Sequence, residues 1–344
     1  MGLLDFLRRQ KPAEPPPALG ADGLLTSDLL IDRPDALAEI DRRLAKGQMT
    51  AGQAEHLNRM ARDGYTVVDL ELGPEVFAAL GADVERMWRD KPADVAYAYH
   101  SPLTRFSDAL EEHRRPSCRI ADLHSASDAA LDLFLHPELA ALAGLIFGEP
   151  AVSLQSLYFQ WGSQQALHRD PVHVLSWPPS HLLAAWVALE DIGPDCGPLV
   201  YVPGSHRLPY YQYEPGRYTF KHGVYGDAEV RASEAFDREQ YERRGLAPVA
   251  FTGPRGKAFL WHHSLLHGGS LPADPALTRK SFVIHYSTRS TQKHVLNTYQ
   301  GWSEPGRQGE KSSQVLVSDR LIERGPVAGF ASPLAAGKPW SPEP

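Results

Sequence analysis

Val152-Ser-Leu-Gln-Ser-Leu-Tyr-Phe-Gln160, then Trp161-Gly-Ser-Gln-Gln165, then Ala166-Leu-His168-Arg-Asp170-Pro171, is the stretch whose reading decides the fold. Its first nine residues are apolar, β-branched or aromatic, with small polar residues interleaved, and predict a strand. His168 and Asp170 follow that strand and precede a proline. In extended backbone, residues two apart point the same way, so both side chains can meet one ion. A second pair with the same spacing, His136-Pro-Glu138, lies in a helix-like run, where such residues diverge by about 200°. That second pair reads as structural.

The texture of this stretch continues after Pro150. Val152–Gln160, Leu183–Leu189, Leu199–Val202, Ala258–Trp261 and Ser281–Ser287 predict strands, separated by Gly-Pro, Pro-Gly-Ser and Gly-Gly-Ser breaks. Short strands without regular helices between them favour an antiparallel sandwich or barrel. Upstream, residues 35–62 have helical spacing, with Ala36, Ile40 and Leu44 on one face and Pro34-Asp35 at the start. Tyr65 to Leu70 predicts a strand, Glu75 to Arg89 a helix, and Ala129 to Phe147 a helix interrupted by Pro137. Residues 91–127 have no clear period, and Pro209 to Gly253 reads as a polar, aromatic insertion. The expected organisation is an N-terminal segment and Pro-rich linker over 1–20, a single domain over 21–300 and a tail over 301–344. Within the domain, a helical part covers about 35–150 and a β core about 150–290. The first ten residues can form a short amphipathic helix; the tail carries one apolar patch, Val315-Leu-Val.

Composition excludes several classes. Of 344 residues, 42% are hydrophobic and 22% charged, as in globular proteins. Net charge is -7 with no dense Lys/Arg run, which argues against nucleic acid as a partner. No apolar run is expected to approach the roughly 20 residues a bilayer span needs. Cys118 and Cys196, the two cysteines, read as reduced, and the start lacks the features of a secretory signal. A cytoplasmic location is expected. Oligomeric state is not legible.

Trp261-His262-His263-Ser-Leu-Leu-His267-Gly-Gly offers a third ligand. A helical reading would pair His263 with His267. The strand-like Lys257–Trp261 upstream favours extended chain instead, and two glycines beside His267 give the backbone room near an ion. Two imidazoles and one carboxylate can hold iron(II) on one face and leave the other open. Arg279 follows a loop, Gly268 to Ala276, in which Pro272 and Pro275 can reverse the chain. On the next strand Arg279, Ser281, Val283 and His285 share one face, and Lys280, Phe282, Ile284 and Tyr286 the other. A buried guanidinium requires an anion, either a protein carboxylate or a dicarboxylate cosubstrate.

With these pieces in place the chain resembles the phytanoyl-CoA dioxygenase family of iron(II)/2-oxoglutarate oxygenases. The resemblance rests on His168-Arg-Asp170, Trp186 in Ala-Ala-Trp-Val-Ala-Leu-Glu-Asp, Gly197-Pro-Leu, Pro203-Gly-Ser-His206, His267-Gly-Gly-Ser and Arg279-Lys-Ser281, and runs from about Gly64 to Ser287. One departure is Lys257 after Gly256, where family members often carry an acid. The resemblance implies a mainly β fold, a double-stranded β-helix (jelly roll, cupin-like) with N-terminal and flanking α-helices. It implies His168, Asp170 and His267 as iron ligands. Arg279 and Ser281 would bind the far carboxylate of 2-oxoglutarate, Trp186 would wall it, and Gln155 would hydrogen-bond it. The implied reaction uses Fe(II), 2-oxoglutarate and O2 to hydroxylate a C–H bond of a small, polar molecule, with 2-oxoglutarate decarboxylated to succinate. The carboxylate of Asp170 argues against halogenation, which gives that position to chloride. Tyr97 to His124 and Tyr210 to Tyr225, with Arg105, Arg217 and Lys221, are candidate mouth segments suited to a polar or anionic substrate. Another metal-dependent cupin-type enzyme, a hydrolase or isomerase, and a non-catalytic binding protein on the same fold remain as alternatives.

Overall fold

Phe282, Ile284 and Tyr286 belong to one apolar cluster and Val283 to another, so a single strand near the end of the chain separates two layers. This is the alternation expected of extended backbone, in which successive side chains leave opposite faces. The computed structural model describes residues 19–92, 96–98, 104–105, 109–174, 176, 178–220 and 224–288. The amphipathic start, all but the last two residues of the Pro-rich linker, the tail with Val315, and the side chains of Arg105 and Lys221 lie outside the described residues.

In chain order the elements are α1 (Ala36–Ala45), α2 (Ala51–Asp63), β1 (Tyr65–Asp69), α3 (Pro74–Asp90), β2 (Ala96–Ala98), β3 (Thr104–Arg105), β4 (Arg119–Ala121), α4 (Asp128–Phe134), α5 (Pro137–Phe147), β5 (Ala151–Phe159), β6 (Leu183–Ala188), β7 (Leu199–Tyr201), α6 (Asp227–Arg243), β8 (Val249–Ala250), β9 (Lys257–His262), β10 (His267–Gly269) and β11 (Ser281–Thr288). Eight strands form the larger sheet in the order β1-β9-β6-β11-β5-β4-β2-β3; β10-β7-β8 form the smaller. All named pairings are antiparallel. One face of the larger sheet, with Leu183, Ala185, Val187, Ala258, Leu260, Phe282 and Ile284, packs with the buried residues of α1 to α5. The other face, with Ala184, Trp186, Phe259, Trp261 and Val283, packs against Leu199, Tyr201 and Phe251 from the smaller sheet and its flank. Two sheets therefore face each other across a core lined by every second residue.

The five strands predicted after Pro150 are all present, within a residue or two of the expected ends. Several helical and loop expectations change. The run predicted as one helix over 35–62 is two. Gly47 takes a positive φ of 66°, and Thr50 caps α2 by accepting from Gln53 N while the Gln53 side chain accepts from Thr50 N. The 91–127 stretch supplies β2, β3 and β4, strands at one end of the larger sheet. Helix α6 occupies the expected insertion; only Tyr241 in it is buried, so no apolar stripe announced it. With α6 counted, helix exceeds strand among the described residues, so the content is not that of a mainly β chain.

Against the expectation that no apolar run approaches a bilayer span, Asp128–Phe147 has the length and apolarity of one. In the fold this stretch is α4 and α5, capped by Ser127 and restarted at Pro137. Its Leu133, Phe134, Leu139, Leu142 and Ile146 lie in the helical core.

Candidate metal centre

The two histidines meet through backbone. His168 N donates to His267 O at 2.9 Å and His267 N donates to His168 O at 3.0 Å, an isolated antiparallel bridge at the margin of the smaller sheet. Their rings lie 4.5 Å apart. Gly268 and Gly269 permit this pairing. A Cβ on Gly268 would stand 2.6 Å from Gln165 O, and one on Gly269 would stand 2.5 Å from Ser163 Oγ. The room expected for an ion beside these glycines is therefore taken by the chain of residues 163–166. Arg169 is extended (φ -117°, ψ 136°), so His168 and Asp170 do share a side.

Asp170 Oδ1 lies 3.5 Å from His267 Nε2 and 4.0 Å from His168 Nε2. One ligand atom from each of the three residues falls within 4.8 Å of the others. Tautomers follow from the hydrogen bonds. His168 Nδ1 donates to Ala166 O at 2.9 Å and His267 Nδ1 to Leu265 O at 3.0 Å. Carbonyls only accept, so each Nδ1 carries the hydrogen and each Nε2 offers a lone pair to the shared space. Trp261 Nε1 donates to Asp170 Oδ2 at 2.8 Å, which leaves Oδ1 turned to the histidines. Such outer partners orient ligands in metal sites. Burial, aided by neighbouring His267, pulls His168 down to about 3, so it is neutral at ordinary pH. Burial pushes Asp170 up, yet His267, His285, His168 and the Trp261 bond together outweigh it and hold the carboxyl below its usual range. Two imidazole nitrogens and a carboxylate oxygen turned to one space form a donor set suited to iron(II).

His262 and His263 do not join this group. A turn at His263–Ser264 separates them from His267, and they lie with Asp32 in a second cluster. There Ser264 N donates to His262 Nδ1 at 3.0 Å, so His262 Nε2 carries the hydrogen and donates to Asp32 Oδ1 at 2.7 Å. Both ring nitrogens are used, and His262 has no lone pair left for a metal. His136-Pro-Glu138 begins α5, far in sequence from both clusters, and belongs to neither.

Across the interior face runs a second polar group. Arg279, 2% exposed, donates its backbone N–H to Gln160 O at 2.9 Å. Its guanidinium carbon lies 5.4 Å from the Trp186 ring. Arg279 Nε, Ser281 Oγ and Trp186 Nε1 are buried without hydrogen-bond partners, and no carboxylate pairs with Arg279 among the described residues. Burial draws the guanidinium down to about 10. Gln155, expected to hydrogen-bond the cosubstrate, is paired in register with His285. His285 was not among the candidate ligands. It is buried with Nδ1 unpartnered and is close enough to Asp170 and His267 to feel both; its place on the Arg279 face was the available signal. The loop after β10 does not make a simple hairpin; it carries the chain from the smaller sheet to the larger.

The insertion packs beside His168. Arg169, buried between the two ligand positions, donates to Leu208 O, Pro209 O and Asp237 Oδ1 at 3.1, 3.0 and 2.9 Å, and lies 4.4 Å from the Tyr210 ring. A small cavity beside His168 is lined by His173 and Tyr210, Tyr211, Tyr213 and Tyr218. Arg217 is engaged with Glu214 at 3.0 Å.

The sequence model of the family described as phytanoyl-CoA dioxygenase matches residues 60–271. The chain belongs to that family. It is a non-haem iron, 2-oxoglutarate-dependent dioxygenase of small molecules. It is similar to the ectoine dioxygenase of Bordetella bronchiseptica, 27% identical over 336 residues that cover 91% of this chain and 99% of the relative. Similarity to the peroxisomal phytanoyl-CoA dioxygenase of Bos taurus is 25% over 163 residues, 46% of this chain and 42% of that one. Among solved structures, EctD from S. alaskensis in its apoform superposes with a TM-score of 0.50 at 24% identity, over 71% of this chain and 78% of that chain. The carbocyclase SnoK of nogalamycin biosynthesis gives 0.50 at 18%, over 70% and 85%. The two structures support the fold.

Proposed function

We propose that His168, Asp170 and His267 hold the iron(II), and that Arg279 with Ser281 binds the far carboxylate of 2-oxoglutarate. The carrying observation is the pairing of a ligand set whose lone pairs are already directed inward with a buried guanidinium that has no carboxylate among the described residues. The spacing supports it. Trp261, Ala184, His285 and Gln155 form one cross-strand row, and Phe259, Trp186, Val283 and Leu157 form the next. Rows on one face are two residues apart, roughly 7 Å. The metal ligands contact the first row through Trp261, and the Arg279 guanidinium lies by Trp186 in the second. A five-carbon diacid spans such a gap.

When bound, the iron with 2-oxoglutarate and O2 supplies an oxidant able to replace C–H by C–OH, the cosubstrate leaving as succinate and carbon dioxide. The protein's own part is positional. Ala166 and Leu265 carbonyls fix the imidazoles, Trp261 fixes the carboxylate, Trp186 walls the cosubstrate and Gln155 reaches it from β5. A hydrolase or isomerase on the same metal has no use for the unpaired Arg279, and a non-catalytic protein has none for a complete ligand set.

The substrate in this reading is a small polar molecule, and ectoine, named by the Bordetella relative, is the first to assay. We also read the two facing sheets as a double-stranded β-helix and residues 21–300 as one oxygenase domain. The pairing of β1 with β9 supports that unity, because it joins the N-terminal part to the β-rich part in one sheet. Buried, unpaired Cys118 and Cys196 support a reducing, cytoplasmic setting.

Anaerobic addition of iron(II) and 2-oxoglutarate tests the assignment. Bidentate chelation gives a weak visible charge-transfer band; a protein that binds both without one, or that keeps the band after His267→Ala, refutes it.

A further inference from the structure

Trp261 touches two of the proposed iron ligands. Its indole donates to Asp170 Oδ2 at 2.8 Å, and its ring lies 4.7 Å from that of His267. From there aromatic rings run outward. Tyr65 pairs with Trp261 in register across β1 and β9, and facing residues on one side of an antiparallel pair stand about 5 Å apart at Cβ. Both belong to the apolar cluster between the sheets. Tyr65 stacks on Phe259 at 5.0 Å and meets Tyr201 at 4.6 Å; Phe259 lies 4.5 Å from Tyr201 and 6.1 Å from Trp261. Trp261 and Tyr201 are buried and Tyr65 is half-buried. The outward end of this path is a cleft of about 480 Å3, lined by both tyrosines. It lies where β1 ends the larger sheet and β8 ends the smaller, with exposed Asp63 and Ala250 at its rim. None of the three proposed ligands lines it.

Indole and phenol rings give up single electrons readily, and a benzene ring does not. The other inward-facing indole, Trp186, meets Phe251 at 5.4 Å, so no such path leaves it. We propose that Trp261, Tyr65 and Tyr201 conduct single electrons from the cleft to the metal site when 2-oxoglutarate and O2 are consumed with no organic substrate in place. The proposal rests on the metal assignment above. Hydroxylation draws two electrons from a substrate C–H bond. Without that bond the same two come one at a time from Trp261, two protons from solvent accompany them, the oxygen atom leaves as water and the site returns to iron(II). Each electron lost by Trp261 is replaced from Tyr65, whose phenolic proton passes to water or to Asp63 in the cleft. Tyr201 shares the vacancy with Tyr65. A soluble one-electron donor, an enediol or a thiol, then returns an electron and a proton to the tyrosine, twice per event. The oxidising power is thus drained to the cleft instead of being spent on the side chains that hold the metal.

The test mixes the full chain with iron(II), 2-oxoglutarate and O2, without organic substrate or reductant, and freezes it within the first turnover. Electron paramagnetic resonance, with ring-deuterated tyrosine to identify the carrier, is expected to show a tyrosyl radical in wild type. The signal is lost in the Tyr65→Phe/Tyr201→Phe double variant, which removes two hydroxyls and keeps the rings; its anaerobic charge-transfer band shows that it still binds metal and cosubstrate. Peptide mass spectrometry of wild type after many such turnovers supplies a second readout that needs no variant. Oxidised tyrosine is expected at Tyr65 or Tyr201, and ascorbate, an enediol, abolishes it. In the double variant the added oxygen moves to Trp261. A tyrosyl signal that survives in the double variant overturns the proposal, and so does oxidation mapped in wild type only to the tyrosines beside His168. Consumption of 2-oxoglutarate with neither radical nor oxidised Tyr65 or Tyr201 does the same. Failure of the metal assignment looks different: wild type then shows no anaerobic band and no 2-oxoglutarate consumption, and the proposal falls with it.

Discussion

Replacing Arg279 by Met separates a ligand-binding cation from a structural one by the sign of a stability change. A buried arginine held in an ion pair leaves its acid stranded when removed, which costs about 3–5 kcal/mol. Arg279 has no such acid among the described residues. Burial draws it down to about 10, and at about 1.4 kcal/mol per decade the charged form is disfavoured in the native state by on the order of 3 kcal/mol. The sign is fixed because the native pKa is the lower one. Below about 10 both states carry the proton, so the full cost is present at neutral pH. Met has similar length and no charge to bury. Part of the gain is offset by the lost contact with Trp186, worth roughly 1 kcal/mol. Arg279→Met should therefore raise the stability of the ligand-free protein by about 1–2 kcal/mol, or several degrees in Tm. In the same variant 2-oxoglutarate should bind about a hundredfold more weakly, through loss of a bidentate charge-assisted contact. Thermal unfolding with and without 2-oxoglutarate measures both. A variant that is destabilised by 3 kcal/mol, or one that 2-oxoglutarate stabilises as much as wild type, refutes the reasoning.

Two further outcomes are expected. Trp261→Phe keeps the ring but removes the 2.8 Å donor to Asp170; anaerobic metal titration should show affinity reduced about 10- to 100-fold, and unchanged affinity would mean the bond does not orient the carboxylate. Burial lowers His124 to about 3, so between about 6.5 and 3 the unfolded chain takes up a proton that the native state refuses. Stability is then lost as pH falls through that window, by roughly 1.4 kcal/mol per pH unit for this residue. Denaturant unfolding of His124→Phe from pH 6 to 4 should show a slope shallower by that amount, and an unchanged slope would mean that His124 already titrates normally in the fold.

Much of the site was legible because its residues sit on strands or in extended chain beside them, where a period of two converts sequence into direction. Arg279, Ser281, Val283 and His285 were assigned one face from spacing alone, and the orphaned Ser281 Oγ and His285 Nδ1 lie on it. The choice of His267 over His263 could not be made by spacing, since both offered the same offset. It depends on a turn at His263–Ser264 and on a backbone bridge to His168, which only folding brings together. Helix α6 escaped notice for a different reason. Its stability owes little to an apolar stripe, and the signals it does carry are acids at its first turn and an arginine at its last. Strands β2 and β4 are three residues each, too short to carry a period at all.

The middle residue of His168-Arg169-Asp170 ties these two kinds of structure together. Alternation that sends His168 and Asp170 inward must send Arg169 the opposite way, and it meets the Leu208 and Pro209 carbonyls, Asp237 and the Tyr210 ring. The helix that sequence periodicity missed is thus bonded to the ligand-bearing loop through a buried arginine. Three charge-assisted hydrogen bonds at that point resist any rotation of the backbone between the ligands. Rotation there would flip His168 and Asp170 to opposite sides, since a half-turn at one residue exchanges the two faces of extended chain. In the proposed reading, the aromatic insertion beside His168 also holds the His-x-Asp pair in the conformation that can grip an ion, so that substrate access and metal geometry would depend on the same contacts.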